Sequence, residues 1–97
     1  MVHVKVIVCN DLGFHARAAA RFVKESSRFQ SQVWVTKGSH RVNGKSIMGI
    51  LTLAAAKGEE VCIEVEGQDE EQALGALSSL VNCGFEENKG PRGQDSM

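Results

Sequence analysis

The stretch VHVKVIVCNDLGFHARAAARFVKESS, residues 2–27, contains the change of hydrophobic period that decides the fold. Valine occupies positions 2, 4, 6 and 8, an alternation typical of a strand that buries one face. The segment Asn10–Gly13 is a turn signal, and the apolar residues after it recur at helical spacing. The helix is predicted to end near Ser27. Its predicted buried face consists of Ala16, Ala19, Ala20 and Val23.

The same two periods alternate along the rest of the chain. A hairpin turn is predicted at Gly38-Ser39, between two short strands, and a fourth strand follows later. These three strands are predicted around residues 33–35, 40–42 and 61–65. The order β-α-β-β-α-β-α predicts the α+β class, as a two-layer open-faced sandwich of a four-stranded antiparallel sheet with three helices on one face. The pattern leaves the strand order open.

Residue types at the helix ends predict where the second and third helices begin and end. Ser46 is a preferred N-cap residue for the second helix, and Lys57-Gly58 is predicted to close it. Asp69 is predicted to cap the third helix, with Gln72 in the matching position of a capping box.

Length and charge limit the classes of protein to which the chain can belong. The 97 residues suffice for one domain, predicted over residues 1–87, and residues 88–97 are predicted to form a disordered tail. The net charge is −1, but residues 1–48 carry +6 and residues 49–97 carry −7. The basic half suits anions or acidic partners, whereas the acidic half argues against general nucleic-acid binding. No apolar run is long enough to span a membrane.

The cysteines and histidines form no metal-binding pattern. Cys9, Cys62 and Cys83 are an odd, widely spaced set without a CxxC pair, and the three histidines are equally scattered. We therefore expect no metal site. The cysteines are predicted to be buried as small apolar side chains in a reducing cytosol.

His15 is the residue whose position is most informative about chemistry. It precedes the first helical residue, where a capping side chain such as Ser or Asp is usual. The amides of Ala16, Arg17 and Ala18 are then left without an obvious local cap, and such groups form an anion site. Imidazole is a nucleophile toward phosphorus, and the Arg17 guanidinium lies two residues on. The alternative is an exposed turn histidine beside an ordinary surface arginine.

Two segments resemble a known family. LGFHARAAARFV, residues 12–23, resembles the active-site segment of the HPr family, the histidine phosphocarriers of the phosphoenolpyruvate-dependent sugar phosphotransferase system. VNGKSIMGI, residues 42–50, resembles the segment around that family's regulatory serine, and the acidic run at residues 67–73 also fits. The resemblance extends from residue 2 to about residue 87.

The resemblance implies a role for each segment. His15 would accept a phosphoryl group from phospho-enzyme I and pass it to sugar-specific or regulatory IIA-type proteins. Arg17 would stabilise the phosphoryl charge, with the backbone N–H groups of Ala16 and Arg17 binding its oxygens. Ser46 would be the target of an HPr kinase/phosphorylase. The partner-docking residues would be Ala20, Lys24, Ile47, Met48 and Leu51.

The resemblance further implies a cytoplasmic, monomeric carrier that needs no cofactor and is not a stand-alone enzyme. Among the docking residues, Met48 is predicted to be exposed, whereas Ile47 and Leu51 are predicted to pack in the core. The chain departs from the better-known family pattern at Ala18, where proline is usual, and this puts partner preference in doubt more than chemistry. Two alternatives stay open: an NPr-type carrier in a nitrogen-regulatory phosphorelay, and a ferredoxin-like regulatory module in which His15 is incidental.

Overall fold

Seven elements follow one another in the order that the sequence predicts. The computed structural model describes residues 1–85. The strands are β1 (Val2–Ile7), β2 (Gln32–Lys37), β3 (His40–Asn43) and β4 (Glu60–Glu66), and the helices are α1 (Ala16–Ser26), α2 (Ile47–Thr52) and α3 (Glu70–Asn82). The predicted tail at residues 88–97 and the last two residues of the predicted domain lie outside the described residues.

The four strands form one antiparallel sheet in the order β1-β4-β2-β3, so the predicted α+β class is confirmed. The register places Ile63 of β4 opposite both Val4 of β1 and Val35 of β2. Val35 in turn lies opposite Val42 of β3. Ile63 and Val35 are fully buried. Burial of such a side chain contributes about 2 kcal/mol, so this apolar row stabilises the pairing of all four strands.

The opposite face of the sheet carries polar side chains and the single tryptophan of the chain. Trp34 is half-buried there, between the fully inward Val33 and Val35. The Arg41 guanidinium lies over its ring at 4.4 Å from the centroid, and Arg41 Nε is 3.2 Å from Glu64 Oε1. A side chain of β3 thus lies on the aromatic ring and is paired with a side chain of β4.

The buried face of α1 differs from the predicted one. Ala18, Ala19 and Phe22 are buried, whereas Ala16 and Ala20 are exposed. The prediction is confirmed for Ala19 and for the partly buried Val23, but it is wrong for Ala16 and Ala20. Phe22 has the largest apolar side chain in the helix and sets which side faces the core. The Ser26 hydroxyl is also on the buried side, where it donates to the Gly44 carbonyl at 2.8 Å.

Helix α2 is shorter than predicted. It ends at Thr52, and Ala54 then adopts a left-handed conformation with φ 50°. Lys57-Gly58 lies beyond the helix in a turn, where Gly58 N donates to the Val8 carbonyl at 2.7 Å. The prediction that Lys57-Gly58 closes the helix is therefore wrong, because contacts with the end of β1 determine the path of this segment.

The start of α3 also departs from the predicted capping box. Asp69 occupies the N-cap position but makes no side-chain cap bond. Its carboxylate instead accepts hydrogen bonds from the Gln30 and Ser31 amides, both at 3.0 Å, and from the Ser31 hydroxyl. Glu70 Oε1 accepts from Gly67 N at 3.1 Å. The Asp69 carboxylate thus joins α3 to the segment before β2.

This arrangement predicts a pH-dependent contribution to stability. The hydrogen bonds from the Ser31 hydroxyl and the Gln30 amide lower the pKa of Asp69 below its usual value. Since the folded-state pKa is the lower one, the contribution is complete above the unfolded-state pKa of about 4 and is lost as the pH falls through the folded-state pKa. The difference in unfolding free energy between the wild type and Asp69→Asn should therefore shrink below about pH 4 in urea titrations.

The matched control for this prediction is Glu71→Gln, which changes an exposed carboxylate in the same helix. The pH dependence of its difference from the wild type should be smaller than that of Asp69→Asn over the same range, because no hydrogen bond like those from Gln30 and Ser31 is lost. Parallel stability curves for the wild type and Asp69→Asn through the acid range would contradict the prediction.

The cysteines are more accessible than predicted. Cys9 and Cys62 are half-buried and Cys83 is exposed, so the prediction of three buried thiols is wrong. Cys62 falls on an outward position of β4, and Cys83 follows the last residue of α3. The Cys9 thiol donates to the Val81 carbonyl at 3.3 Å and thereby links the end of β1 to the end of α3.

Candidate functional site

The His15 loop, residues 10–15, joins β1 to α1 and is fixed by its own hydrogen bonds. The Asn10 side-chain amide donates to the Gly13 carbonyl at 2.7 Å, and His15 N donates to the same carbonyl at 2.9 Å. Gly13 has φ 66°, and a Cβ at this position would overlap the carbonyl oxygen of Ala55. Glycine is therefore required for both the turn and the close approach of the two backbones.

The loop is anchored to the core by the residue directly before the histidine. Phe14 is 3% exposed, and its amide donates to the Ala55 carbonyl at 2.9 Å. Its ring packs edge-on against Phe22, with 5.7 Å between the centroids, and in a tilted arrangement against Phe85, with 5.0 Å between the centroids. Phe14 is thus a core residue, and it holds the half-buried His15 at the edge of the core.

His15 occupies the N-cap position of α1. Its backbone is extended, and its side chain makes no cap bond. The first bond of the helical ladder runs from Ala19 N to the His15 carbonyl at 2.8 Å. The amides of Ala16, Arg17 and Ala18 precede that bond, and α1 has no acidic residue in its first turn. The predicted uncapped helix start beside a histidine is confirmed, and it is a favourable place for an anion.

Two cationic side chains of α1 are exposed, and one of them lies near this helix start. Arg17 lies in the first turn and Lys24 in the last, and both are exposed. Neither takes part in an ion pair within residues 1–85. The intervening Arg21 is different, because its Nη1 lies 3.2 Å from Glu25 Oε1. Arg17 and Lys24 therefore present positive charge to solvent, as the basic half of the sequence predicts.

Ser46 begins the second helix as predicted. Its backbone is extended, and its hydroxyl oxygen accepts from Gly49 N at 3.0 Å. The side chain is half-buried. The preceding Lys45 donates through Nζ to the Phe29 carbonyl at 2.8 Å, so its ammonium is held against the segment that follows α1. Helices α1 and α2 contact each other, which places both predicted phosphorylation positions at helix starts of one layer.

The predicted docking residues are mostly at the surface. Met48 is 73% exposed, as predicted, and Ile47 is 41% exposed, so the prediction that Ile47 packs in the core is wrong. The fully buried Ile50 occupies the core position of this short helix instead, and Leu51 is half-buried. Ala20 and Lys24 of α1 are exposed.

Two parts of the site were missed by sequence reasoning. Leu12 is 71% exposed within the His15 loop. The turn signal around it is a usable clue, because a leucine in a tight turn has little apolar surface to pack against. Ala55, whose carbonyl supports Phe14 and faces Gly13, gives no such clue, because the contact uses backbone atoms of a distant alanine.

Neither a metal centre nor a membrane span is found in the described part of the chain. Among residues 1–85, the side chains of His, Cys, Asp and Glu form no cluster of three or more that could hold a metal ion. Within the same residues, the structure has no helix with the length and hydropathy of a membrane span.

Comparison with known proteins identifies the family. The family described as the PTS HPr component phosphorylation site matches residues 2–82. The phosphocarrier protein HPr of Neisseria meningitidis serogroup A is 48% identical over 89 residues, which cover 92% of this chain and 100% of that protein. Two Thermoanaerobacter tengcongensis structures are also similar. HPr-C-His has a TM-score of 0.87 at 45% identity, covering 91% of this chain and 99% of that one. An HPr dimer has a TM-score of 0.70 at 46% identity, and the match covers 88% of this chain and 98% of that one.

These matches agree with the order of the elements, with the histidine at the N-cap position of α1 and with the serine at the N-cap position of α2. The matched region includes both segments on which the resemblance was based. The chain belongs to the HPr family, the phosphocarriers of the phosphotransferase system.

Proposed function

We propose that His15 accepts a phosphoryl group from phospho-enzyme I and passes it to a IIA-type protein. The observation that carries this proposal is the position of His15, at the start of a helix whose first amides precede the helical ladder. An imidazole at such a place combines a nucleophile with donors for the phosphoryl oxygens. Membership of the HPr family supports the same reaction.

The transfer is a displacement at phosphorus between two imidazoles. A lone pair of the His15 ring, on Nδ1 by resemblance to the family, forms the new N–P bond as the N–P bond to the enzyme I histidine breaks. The departing imidazole keeps that electron pair and takes up a proton. Phosphoryl transfer depends mainly on positioning and on neutralising charge, and we assign these tasks to Arg17 and to the amides of Ala16 and Arg17. In the onward transfer, phosphorylated His15 is the donor and the IIA-type protein is the acceptor.

Ala18 adds one feature to this arrangement. It stands where the better-known family pattern has proline, and its side chain is fully buried against the core. Alanine adds an amide to the first turn without changing the helical backbone. We therefore propose that transfer is retained and that Ala18 changes the rigidity of the helix start.

The test is a reconstituted transfer. The wild-type protein, enzyme I and labelled phosphoenolpyruvate should give an acid-labile, base-stable phosphate on this chain, and a IIA-type protein should then remove it. An enzyme I that phosphorylates a control HPr while this chain gains no label would overturn the proposal. The named relatives support the HPr branch over an NPr-type carrier. A regulatory module in which His15 is incidental would gain no label.

Replacement of Arg17 should slow the transfer without unfolding the protein. We expect Arg17→Ala to lower the rate of phosphoryl uptake about a hundredfold, because it removes a positive charge that acts on the transferring group. Arg17→Lys should restore part of the rate. The measurement is rapid-quench labelling by phospho-enzyme I, with Lys5→Ala on the outer sheet face as the control. Equal rates for Arg17→Ala and Lys5→Ala would contradict the role.

We further propose that Ser46 is phosphorylated by an ATP-dependent HPr kinase/phosphorylase. In the chain, Ser46 is directly followed by the exposed Ile47 and Met48. A phosphate there adds about two negative charges to the proposed docking surface and should weaken docking of an acidic partner. Because the hydroxyl oxygen already accepts from Gly49 N, a phosphate oxygen can take over that bond.

Substitution of Ser46 should have two measurable effects. Ser46→Ala should abolish labelling by the matching kinase and ATP, and it should lower the unfolding free energy by about 1 kcal/mol because the helix cap is lost. Ser39→Ala, in the exposed β2–β3 turn, should change neither quantity. Kinase labelling that persists in Ser46→Ala would place the modification elsewhere.

The remaining features of the proposal concern assembly and location. A monomer stays a prediction, because one similar solved structure is described as an HPr dimer. Light scattering of the purified chain distinguishes the two states. We also propose a cytoplasmic location, since phospho-enzyme I and the IIA-type proteins are the partners that the carrier must meet.

A further inference from the structure

We propose that Lys37 and Glu59 form a clasp that positions the His15 loop for phosphoryl acceptance. The two side chains act through the backbone and do not touch the phosphoryl group. This inference rests on the proposed function of His15. It concerns residues that are distant from His15 in the sequence.

The clasp consists of one ion pair with two backbone contacts. Lys37 Nζ lies 2.9 Å from Glu59 Oε1 and donates to the Ala54 carbonyl at 3.2 Å. Glu59 Oε1 also accepts from Ala56 N at 2.7 Å. The pair therefore holds both ends of the segment 54–56. Lys37 binds the carbonyl of Ala54, and Glu59 binds the amide of Ala56.

The held segment has an unfavourable backbone conformation. Ala54 has φ 50°, in the left-handed region that residues with a Cβ seldom adopt. Such a conformation persists only where the surrounding contacts enforce it. The Lys37 ammonium on the Ala54 carbonyl is one of those contacts.

The segment in turn supports the His15 loop. The Ala55 carbonyl accepts from Phe14 N at 2.9 Å, and it approaches Gly13 so closely that no side chain fits between them. Phe14 directly precedes His15 in the chain. A shift of residues 54–56 would therefore move the imidazole, and a displacement of about 1 Å can slow a positioned reaction up to about a hundredfold.

The negative charge of the clasp persists under assay conditions. The hydrogen bond from Ala56 N, followed by that from Lys37, lowers the pKa of Glu59 below its usual value. Glu59 therefore remains ionised at neutral pH. The side chains of Lys37 and Glu59 are 30% and 43% exposed, and loss of an ion pair this accessible should leave the fold intact.

The experiment compares Lys37→Ala and Glu59→Ala with a matched loss of another ion pair. Arg41→Ala removes the pair with Glu64 on the outer sheet face. We expect each clasp variant to lower kcat for phosphoryl uptake about tenfold with KM changed by less than about twofold, because the substituted side chains do not bind the partner. Glu59→Gln, which keeps an acceptor for Ala56 N, should be intermediate. Arg41→Ala should match the wild type.

A second measurement makes the test independent of activity. Amide NMR signals of residues 13–15 in the unphosphorylated protein should shift in Glu59→Ala and stay in place in Arg41→Ala. Unchanged kcat in Glu59→Ala, or an equal loss in Arg41→Ala, would overturn the clasp. If the wild type accepts no phosphate, the proposed function fails instead, and unmoved NMR signals in Glu59→Ala would then overturn the clasp as well.

Discussion

His15→Ala will take up no acid-labile phosphate from enzyme I and phosphoenolpyruvate. The loss should exceed about a thousandfold, because the substitution removes the imidazole nucleophile. His3 lies on the outer face of the sheet in β1, and His40 Nε2 is 3.1 Å from Thr52 Oγ1. Neither of these rings lies at the start of α1.

The controls for this result are His3→Ala and His40→Ala, which should label like the wild type. The unfolding free energy of His15→Ala should fall far less than that of Phe14→Ala, because the His15 side chain is half-buried whereas Phe14 is 3% exposed. Retention of the acid-labile label in His15→Ala would exclude His15 as the acceptor. Loss of label in His40→Ala alone would reassign the site.

Phe14→Ala will destabilise the fold far more than the loss of any surface side chain. The expected loss of unfolding free energy is about 3–5 kcal/mol, because a fully packed aromatic ring is removed and a cavity is left. The ring lies between Phe22 and Phe85 and is 3% exposed. Urea unfolding followed by circular dichroism measures the effect.

Leu12→Ala is the matched control for Phe14→Ala. It removes an apolar side chain from the same loop, but one that is 71% exposed, so its unfolding free energy should stay within about 0.5 kcal/mol of the wild type. If the two variants are destabilised equally, the loop is not anchored to the core through Phe14. At temperatures where Phe14→Ala stays folded, its phosphoryl uptake should also be slower, because His15 has lost its anchor.

The order and type of most elements could be predicted from a clear hydrophobic period, whereas β3 was predicted from the hairpin turn at Gly38-Ser39. The valines of β1 and the alternation around Ile63 mark strands, and these residues line the buried face of the sheet. The buried face of α1 was harder to predict, since its alanines occur on several sides. Only packing shows that Phe22 faces the core.

Helix ends were predicted less well, because tertiary contacts overrule local preference there. Alanine favours helix, yet Ala54 adopts φ 50° so that the following backbone can support Phe14. Asp69 is a good N-cap residue by type, but its carboxylate accepts from Ser31 instead. In both cases the deciding partner is distant in the sequence.

In the candidate site, too, some residues could be predicted from the sequence and others could not. The places of His15 and Ser46 at helix starts could be predicted from the residues around them, whereas their proposed roles rest on the resemblance to the HPr family. The contribution of Ala55 could not, because a carbonyl group is common to all residues. Lys37 and Glu59 are ordinary charged residues in the sequence, and only the structure brings them together at residues 54–56.

Locating the phosphate on the folded protein tests directly whether His15 is the acceptor. Histidine labelled with ¹⁵N gives separate ring signals for His3, His15 and His40, before and after incubation with enzyme I and phosphoenolpyruvate. We expect the Nδ1 signal of His15 alone to acquire phosphorus coupling and a IIA-type protein to reverse the change. Coupling on another histidine, or an unmodified His15 in a protein that has gained acid-labile phosphate, would contradict this expectation.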